Sequence, residues 1–225
     1  MTHIIKRIPR PAPELVEGFR AHGSATVHEA MGRFGAMTRD IKPLARGMKV
    51  CGPAFTVQAT PGDNVMVLKA IKEAKPGDVI VVDFSRCPES GPFGELTATE
   101  CLTKGLGGLV TTGSVRDSAE IVAMGFPVFS SGVSIVGTVK ESLGLINHPI
   151  SAGDVIVEPG DLILGDDDGV VVVPLARAAE VLAKSDARVA KEAHTLELIR
   201  AGGSIFDIYG YDAVLRRQGC VEEEA

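Results

Sequence analysis

The sequence predicts an α/β protein with mixed parallel and antiparallel sheets and a long helix near its C-terminus. In the first part of the chain, apolar strand-like runs alternate with helical patterns, as they do in parallel βα units. From residue 134 to residue 174, short strand-like runs alternate with turns rich in Asp, Gly and Pro, which indicates antiparallel sheet beside the βα half. An Ala-rich helical pattern then runs from Leu175 to about Ala201 and stops at Gly202-Gly203.

The earlier helices are predicted from apolar residues at helical spacing and from capping or breaking residues at their ends. They cover residues 14–21, 24–32, 65–74, 95–104 and 118–124. The strands are predicted from short apolar or alternating runs that lie between turns. They cover residues 54–60, 79–84, 109–112, 127–129, 155–158, 162–164 and 169–173.

One uncharged run, residues 121–139, is long enough to span a bilayer. Gly125, Pro127, Gly132 and Gly137 interrupt it, so two short buried strands explain it better than a membrane helix. The N-terminal segment has neither the apolar core nor the cleavage pattern of a signal peptide. We therefore expect a cytoplasmic protein without a membrane partner.

Length and composition narrow the class of protein further. The 225 residues suit a single domain over 1–225, with 175–225 as a helical arm that reaches over a neighbouring subunit. The formal charge of −6, without a basic cluster, argues against nucleic acid as a partner. The four cysteines lack the spacing of a zinc site or of a disulfide scaffold.

The first candidate site is the segment Gly94-Glu95-Leu96-Thr97 at the start of a predicted helix. A helix N-terminus leaves its first amides unpaired, and the helix dipole favours an anion there. Gly94 would let the backbone approach a ligand closely. The structural alternative is an ordinary helix start after a loop, which is common in α/β domains.

The second candidate site is Arg116-Asp117, at the carboxyl end of the apolar segment 109–115. Open α/β sheets bind ligands at that edge. An Arg fork can hold a carboxylate and stabilise an enolate oxygen, and Asp is a hard oxygen ligand suited to Mg²⁺. The structural alternative is a capping box for the next helix, with Asp117 as N-cap and Glu120 three residues later.

Two other polar segments have simpler interpretations. Asp166-Asp167-Asp168-Gly169 lacks EF-hand spacing, so we predict a solvated turn rather than a calcium loop. Pro61-Gly62-Asp63-Asn64 could line a pocket or form an Asx-type turn before a helix, and the sequence leaves both open. The histidines are isolated in the sequence, and none is assigned to catalysis.

Several of these segments together resemble the RraA-like family, and within it the 4-hydroxy-4-methyl-2-oxoglutarate (4-carboxy-4-hydroxy-2-oxoadipate) aldolases. The resemblance rests on the order and spacing of seven short segments along almost the whole chain. They are 26–30 (TVHEA), 61–64 (PGDN), 93–96 (FGEL), 116–117 (RD), 124–128 (MGFPV), 137–141 (GTVKE) and 166–170 (DDDGV).

This resemblance implies a metal-dependent, class II pyruvate aldolase with a swivelling β/β/α sandwich fold. Family members form trimers, often stacked into hexamers, with active sites at subunit interfaces. By the matching positions, the amides of Gly94–Thr97 would bind the pyruvyl carboxylate, Arg116 would contact substrate and Asp117 would hold Mg²⁺ or Mn²⁺. A Glu from the adjacent subunit's arm also belongs to the site, and its counterpart looks like Glu192, with Glu197 on the same arm as the alternative.

The implied function is cleavage of a 4-hydroxy-2-oxo diacid, a small keto-acid substrate, to pyruvate and a second keto acid. Oxaloacetate decarboxylation is the expected side reaction. Glu120 gives the pattern Arg-Asp-x2-Glu, which is typical of generic family members and leaves the preferred substrate open. The alternatives are an enzyme that is mainly an oxaloacetate decarboxylase and a non-catalytic regulator that binds a ribonuclease. A methyltransferase is disfavoured, because no glycine-rich cofactor loop with a following acidic residue is evident.

Overall fold

The structure, a computed structural model, describes residues 2–223. Each predicted helix forms at nearly the expected position, and two short helices follow the long one. The helices are α1 (Pro13–Arg20), α2 (Ser24–Ala30), α3 (Val65–Glu73), α4 (Glu95–Thr103), α5 (Ser118–Met124), α6 (Ala178–Arg200), α7 (Ile205–Ile208) and α8 (Asp212–Gln218). A 3₁₀ turn, Leu175–Arg177, leads into α6.

Most strands are short, five were not predicted from the sequence, and one begins clearly earlier than predicted. They are β1 (His3–Ile4), β2 (Lys42–Pro43), β3 (Val50–Gln58), β4 (Val79–Asp83), β5 (Gly108–Thr111), β6 (Ser114–Val115), β7 (Val128–Ser130), β8 (Gly132–Val133), β9 (Leu145–Ile146), β10 (Ile150–Ala152), β11 (Val155–Val157), β12 (Leu162–Asp166) and β13 (Gly169–Val173). β3 begins four residues before its predicted start, at Val50 rather than Ala54. The five strands that were not predicted are β1, β2, β6, β9 and β10.

One mixed sheet organises the molecule. Its strand order is β1-β9-β3-β4-β5-β7-β2, and β12 adds on to β3 and carries β13. Strands β3, β4, β5 and β7 are parallel, whereas β12 runs antiparallel to β3 and to β13. The predicted combination of a parallel βα half with an antiparallel half is therefore confirmed.

Both faces of the central strands are buried, because successive side chains of a strand point to opposite faces. On β4, Ile80 and Val82 pack in the cluster that contains α3, α4 and α5. Val79 and Val81 pack instead against β10–β13, where Ile163 and other side chains of the antiparallel strands fill the space. Helices thus cover one face of the parallel strands, and antiparallel strands cover the other.

A third layer covers the outer face of the β12–β13 hairpin. Leu162 and Leu164 of β12 point away from Ile163 and pack against Phe19 of α1 and Val181 of α6. Helices α1 and α2 pack against the first part of α6. Two predictions on domain organisation remain predictions. One is the single domain over 1–225, of which three residues lie outside the described range, and the other is the boundary at residue 175 between a core and an arm.

The interpretation of residues 121–139 as two buried strands is only half right. The run contains the end of α5 and the buried strand β7, but β8 is not buried. Beyond β8, Ile135 is 92% exposed, and Val136 and Val139 are more than half exposed. Apolar composition alone could not distinguish a buried strand from an apolar surface. Among residues 2–223, no helix is both long and apolar enough to cross a membrane.

Candidate active site

The N-terminus of α4 is organised by the hydroxyl group of Thr97. Thr97 Oγ1 accepts a hydrogen bond from Gly94 N at 2.9 Å and donates one to Gly94 O at 2.7 Å. Gly94, the residue before the helix, is extended, with φ of −150°. This arrangement satisfies the Gly94 amide internally, so any amide that faces a ligand must lie further along the start of α4.

Asp117 lies beside this helix start. β5 and β6 lead to Arg116, whose backbone N donates to Phe93 O at 2.8 Å and so joins the two segments. Asp117 Oδ2 then accepts a hydrogen bond from Glu95 N at 3.0 Å. The two candidate segments predicted from the sequence therefore meet at one corner of the molecule.

The capping box that was the structural alternative at α5 does not form. Asp117 precedes α5 but has the left-handed conformation, with φ of 53°, and its side chain makes no capping hydrogen bond to that helix. A non-glycine residue in this region costs about 1–3 kcal/mol and persists only where its surroundings impose it. Here the contact with α4 imposes it, so the Asp117 carboxylate faces the neighbouring helix rather than its own.

The corner leaves several polar groups unpaired. Within residues 2–223, neither the amides of Leu96 and Thr97 nor the Oδ1 atom of Asp117 has a hydrogen-bond partner. The Arg116 side chain is 46% exposed, and its Nε lies 3.6 Å from Asp117 Oδ2. Two amide donors, a guanidinium and one carboxylate oxygen are therefore available to a ligand.

The close packing of this corner explains two glycines. A Cβ atom at Gly94 would lie 2.4 Å from Asp117 Oδ2 and 2.9 Å from Arg116 Cγ. A Cβ atom at Gly91 would lie 2.4 Å from Ser134 O and 2.9 Å from Arg116 Cβ. Since real Cβ atoms essentially never approach that closely, a side chain at either position would displace the site.

The α4 start and Arg116 border a cavity of about 390 Å³, and Asp117 lies directly behind this wall, in contact with the Glu95 amide. The wall of the cavity includes the α4 start, the preceding loop, α3 and the segment after β8. The lining residues are Asn64, Leu68, Gly91, Pro92, Gly94, Leu96, Thr97, Arg116, Gly137, Thr138 and Lys140. A larger depression of about 480 Å³ at the β12–β13 turn shares no lining residue with it.

The Pro61–Asn64 segment serves both of the purposes that the sequence left open. Asp63 Oδ1 accepts a hydrogen bond from Val65 N at 2.9 Å, which is the Asx-type turn. Asn64 lines the cavity and donates from Nδ2 to Pro92 O at 3.0 Å.

Asp63 also holds the opposite wall of the cavity. Its Oδ2 accepts hydrogen bonds from Glu141 N at 2.7 Å and Ser142 N at 2.6 Å. Burial by itself would raise the pKa of Asp63, but the hydrogen bonds from Val65 and from these two amides outweigh it and lower the pKa. The segment that carries Lys140 is thereby fixed to the start of α3. In the sequence, Lys140 had a place only in the resembling segment 137–141 and no role in the site, because this long-range contact is what brings it to the cavity.

Glu192 does not line this cavity within its own chain. It lies on α6, where Glu192 Oε1 is 2.8 Å from Arg188 Nε. Arg188 also approaches Glu29 of α2, with 3.6 Å between Nη1 and Oε2. Glu197, the alternative on the same arm, is paired loosely with His194 at 3.8 Å. A role for either carboxylate in the site therefore requires an adjacent subunit, as the resemblance implies.

The Asp-rich turn is a structural element. Asp166 accepts hydrogen bonds from Ser24 N at 2.7 Å and from Ser24 Oγ at 2.6 Å, at the start of α2. Burial opposes ionisation of Asp166, but these bonds outweigh it and lower the pKa. Residues 2–223 contain no group of three or more His, Cys, Asp or Glu side chains that could hold a metal ion. A metal at the candidate site would therefore depend on few protein ligands.

Comparison with known proteins identifies the family. The model of the RraA-like family, described as Aldolase/RraA, matches residues 24–172. A protein of Halalkalibacterium halodurans named "Putative 4-hydroxy-4-methyl-2-oxoglutarate aldolase" is 39% identical over 179 residues, which cover 80% of this chain and 85% of that protein. The chain belongs to the RraA-like family.

Solved structures confirm the predicted fold class. An uncharacterized protein from Pseudomonas syringae pv. tomato superposes with a TM-score of 0.78 at 26% identity, over 87% of this chain and 96% of that one. RraAS2 of Streptomyces coelicolor, described as an unusual member of the RNase ES inhibitor RraA protein family, gives a TM-score of 0.75 at 30% identity. That match covers 84% of this chain and 98% of the other. The fold is the RraA-like β/β/α sandwich, with a long C-terminal helix.

Proposed function

We propose that this protein is a divalent-metal-dependent pyruvate aldolase that cleaves a 4-hydroxy-2-oxo diacid to pyruvate and a second keto acid. The observation that carries the proposal is the contact between Glu95 N and Asp117 Oδ2, 3.0 Å, which joins the α4 N-terminus to the Arg116-Asp117 turn. The name of the Halalkalibacterium halodurans relative supports the same reaction class and a small-molecule substrate.

The charges around the cavity suit a substrate with two carboxylates. The unpaired amides of Leu96 and Thr97, at the positive end of the α4 dipole, would bind the carboxylate next to the keto group. Arg116 lines the same cavity and would contact the keto oxygen. Lys140 also lines the cavity and would attract the distal carboxylate.

The residues present fit Mg²⁺ or Mn²⁺ at Asp117. The Oδ2 atom of Asp117 is oriented by the Glu95 amide, and no described residue bonds to its Oδ1 atom. Mg²⁺ usually takes one or two carboxylates and completes its shell with water and substrate oxygens, so a single Asp meets its requirement. When bound, the cation would act as a Lewis acid on the substrate's keto oxygen.

The protein residues would then guide the bond cleavage. A base removes the proton of the C4 hydroxyl, the C4 oxygen forms a carbonyl and the C3–C4 bond breaks. The electron pair of that bond forms the C2=C3 double bond, the π pair of the C2 carbonyl moves onto its oxygen, and the Arg116 guanidinium stabilises the resulting enolate. Return of a proton to C3 gives pyruvate. We assign the removal of the C4 proton to Glu192 of an adjacent subunit, directly or through a water.

Exposed apolar side chains support an assembly that brings an adjacent subunit to the cavity. Leu96 lines the cavity and is 83% exposed, and Ile135 and Leu143 lie exposed in the segments that flank its wall. Several large exposed apolar side chains around one cavity are typical of a surface that another protein covers. We propose a homotrimer, or a hexamer built from two trimers, with the site at the subunit interface.

The proposal is tested by pyruvate release from 4-hydroxy-4-methyl-2-oxoglutarate, measured with lactate dehydrogenase and NADH. Metal-stripped protein should be inactive and should regain activity with Mg²⁺ or Mn²⁺. Arg116→Ala should lower kcat by about 10²–10³, as loss of a charged donor to an oxyanion does. Arg39→Ala is the matched control, since that side chain is almost fully exposed and lies outside the cavity.

The same assay separates the alternatives. Release from oxaloacetate with a much higher kcat/KM than from the hydroxy diacid would identify a decarboxylase built on the same enolate chemistry. Full activity of metal-free protein would overturn the metal-dependent mechanism. Absence of turnover with all 4-hydroxy-2-oxo acids and oxaloacetate, together with direct binding of a purified ribonuclease, would favour the regulator instead.

A further inference from the structure

Two histidines that are far apart in the sequence meet at the edge of the mixed sheet. His148 Nε2 lies 3.0 Å from His3 Nδ1. The ring centroids are 4.9 Å apart and the ring planes are inclined by 56°, so the contact is between ring edges rather than stacked faces. Both rings are on the surface side of β1 and of the turn after β9, where solvent has access. Two imidazole nitrogens therefore face each other at hydrogen-bonding distance near the surface.

The backbone of His3 is held by strand pairing. His3 is in β1, which runs parallel to β9 and pairs with it at His3–Leu145 and Ile4–Ile146. The next residue continues the ladder, because Ile5 N donates to Ile146 O at 3.1 Å. The ring of His3 thus extends from a fixed strand position.

The backbone of His148 is held by buried polar groups. Its carbonyl oxygen accepts a hydrogen bond from Thr56 Oγ1 at 2.7 Å. The preceding residue, Asn147, is buried in a left-handed conformation, donates from N to Thr56 O at 2.8 Å, and donates from Nδ2 to Ile5 O at 2.6 Å. The same interactions thereby fix both histidines relative to each other, as a metal site requires.

We propose that His3 and His148 form a two-histidine site for a borderline transition-metal cation such as Zn²⁺, with water in the remaining positions. Zn–N bonds of about 2.0–2.1 Å place two tetrahedral nitrogens about 3.3–3.4 Å apart. Metal binding would require the observed 3.0 Å separation to widen by about 0.3–0.4 Å and both rings to turn until their nitrogens face the cation rather than each other. A shift of one ring proton to the outer nitrogen frees both facing lone pairs without changing the charge of the neutral rings.

This site differs in chemistry from the one proposed at Asp117. Imidazole nitrogen suits Zn²⁺, Ni²⁺ and Cu²⁺, whereas Mg²⁺ requires oxygen ligands. Its effect is structural: β1 is only two residues long, and the cation would tie it to the turn after β9. A cation that binds only the folded chain raises its stability with increasing concentration.

The test uses tag-free, chelator-treated protein titrated with Zn²⁺ in a calorimeter at pH 7.5, and again in 1 mM Mg²⁺. Wild-type protein should bind one equivalent of Zn²⁺. His3→Ala and His148→Ala should each lose this binding or weaken it at least about tenfold, since removing a ligand costs no less affinity than removing an outer-shell partner. Zn²⁺ should raise the midpoint of thermal unfolding in wild type but not in either variant. His194→Ala, on the exposed face of α6, is the matched control and should behave as wild type.

Three results would overturn the proposal. Zn²⁺ binding that survives either single substitution would show that the pair is not required. Competition by Mg²⁺, or loss of binding in Asp117→Asn, would place the cation at the oxygen site instead. If no bound Zn²⁺ depends on both histidines, the contact between them is a simple hydrogen bond. Because the readouts are binding and unfolding, the outcome is independent of the proposed aldolase activity.

Discussion

Gly94→Ala is the sharpest single perturbation of the candidate active site. The backbone at Gly94 is extended, with φ of −150°, so Ala can adopt it without strain. The added methyl group would lie 2.4 Å from Asp117 Oδ2 and 3.1 Å from Arg116 Nε. The perturbation is therefore steric, and it acts on the two side chains that we propose as metal ligand and enolate stabiliser.

The size of the effect follows from these distances. An ordinary contact begins near 3.4 Å, so the Asp117 carboxylate must move by about 1 Å. Misplacement of a catalytic group by about 1 Å can cost on the order of 10²-fold in rate. The move also breaks the 3.0 Å hydrogen bond from Glu95 N, which water can largely replace because the Asp117 side chain is 40% exposed. We expect kcat to fall about a hundredfold, with a small loss of thermal stability.

The assay is steady-state pyruvate release, combined with thermal unfolding of the same samples. Gly23→Ala is the matched control. A Cβ atom at Gly23 would meet its nearest neighbour, Asp166 Oδ2, at an ordinary 3.5 Å, and Gly23 lies in another layer of the fold, before α2. Activity of Gly94→Ala within threefold of wild type would refute the reasoning. So would an equal loss of activity in Gly23→Ala.

Three further predictions concern stability and reactivity. Arg10→Ala removes both 2.8 Å hydrogen bonds to the fully buried carboxylate of Asp78. It should lower the free energy of unfolding, measured with urea, by about 3–5 kcal/mol. A loss below about 1 kcal/mol would show that this ion pair does not stabilise the fold. The pKa of Asp63 is lowered in the folded state, so its ionised carboxylate should stabilise the protein fully above about pH 5. The stability difference between wild type and Asp63→Asn should shrink as the pH falls through the ordinary Asp pKa of about 3.9 and below. A difference that does not change with pH in denaturant titrations would contradict this. Burial raises the pKa of Cys51 to about 11 and of Cys101 to about 12, so at pH 8 Ellman's reagent should label both only after unfolding; rapid labelling of either thiol in native protein would contradict their burial.

The fold was largely predictable because its signals are local. Helix α5 (Ser118–Met124) has its predicted bounds, and it ends at Gly125, whose φ of 73° suits the stop. β3 was predicted too short, because Gly52-Pro53 looks like a turn in the sequence. In the structure, Pro53 pairs with Leu162 of β12. That pairing is a tertiary contact and leaves no signal at the position itself.

The site was predictable in its components but not in its details. The sequence placed Arg116, Asp117 and the start of α4 at one edge of the sheet, because a predicted strand ends there and a predicted helix begins there. The sequence could not show that the Asp117 side chain would leave its own helix for Glu95 N. Nor could it show that Asp63 would bring the segment with Lys140 to the cavity, since those partners are 78 and 79 positions apart.

The most direct test of the central claim is a crystal structure with Mn²⁺ and oxalate, a planar mimic of the pyruvate enolate. We expect an anomalous Mn²⁺ peak within bonding distance of Asp117 Oδ1, with oxalate contacting Arg116 and the amides of Leu96 and Thr97. A well-ordered crystal in which this corner remains empty, or in which Mn²⁺ and oxalate bind together elsewhere, would contradict it.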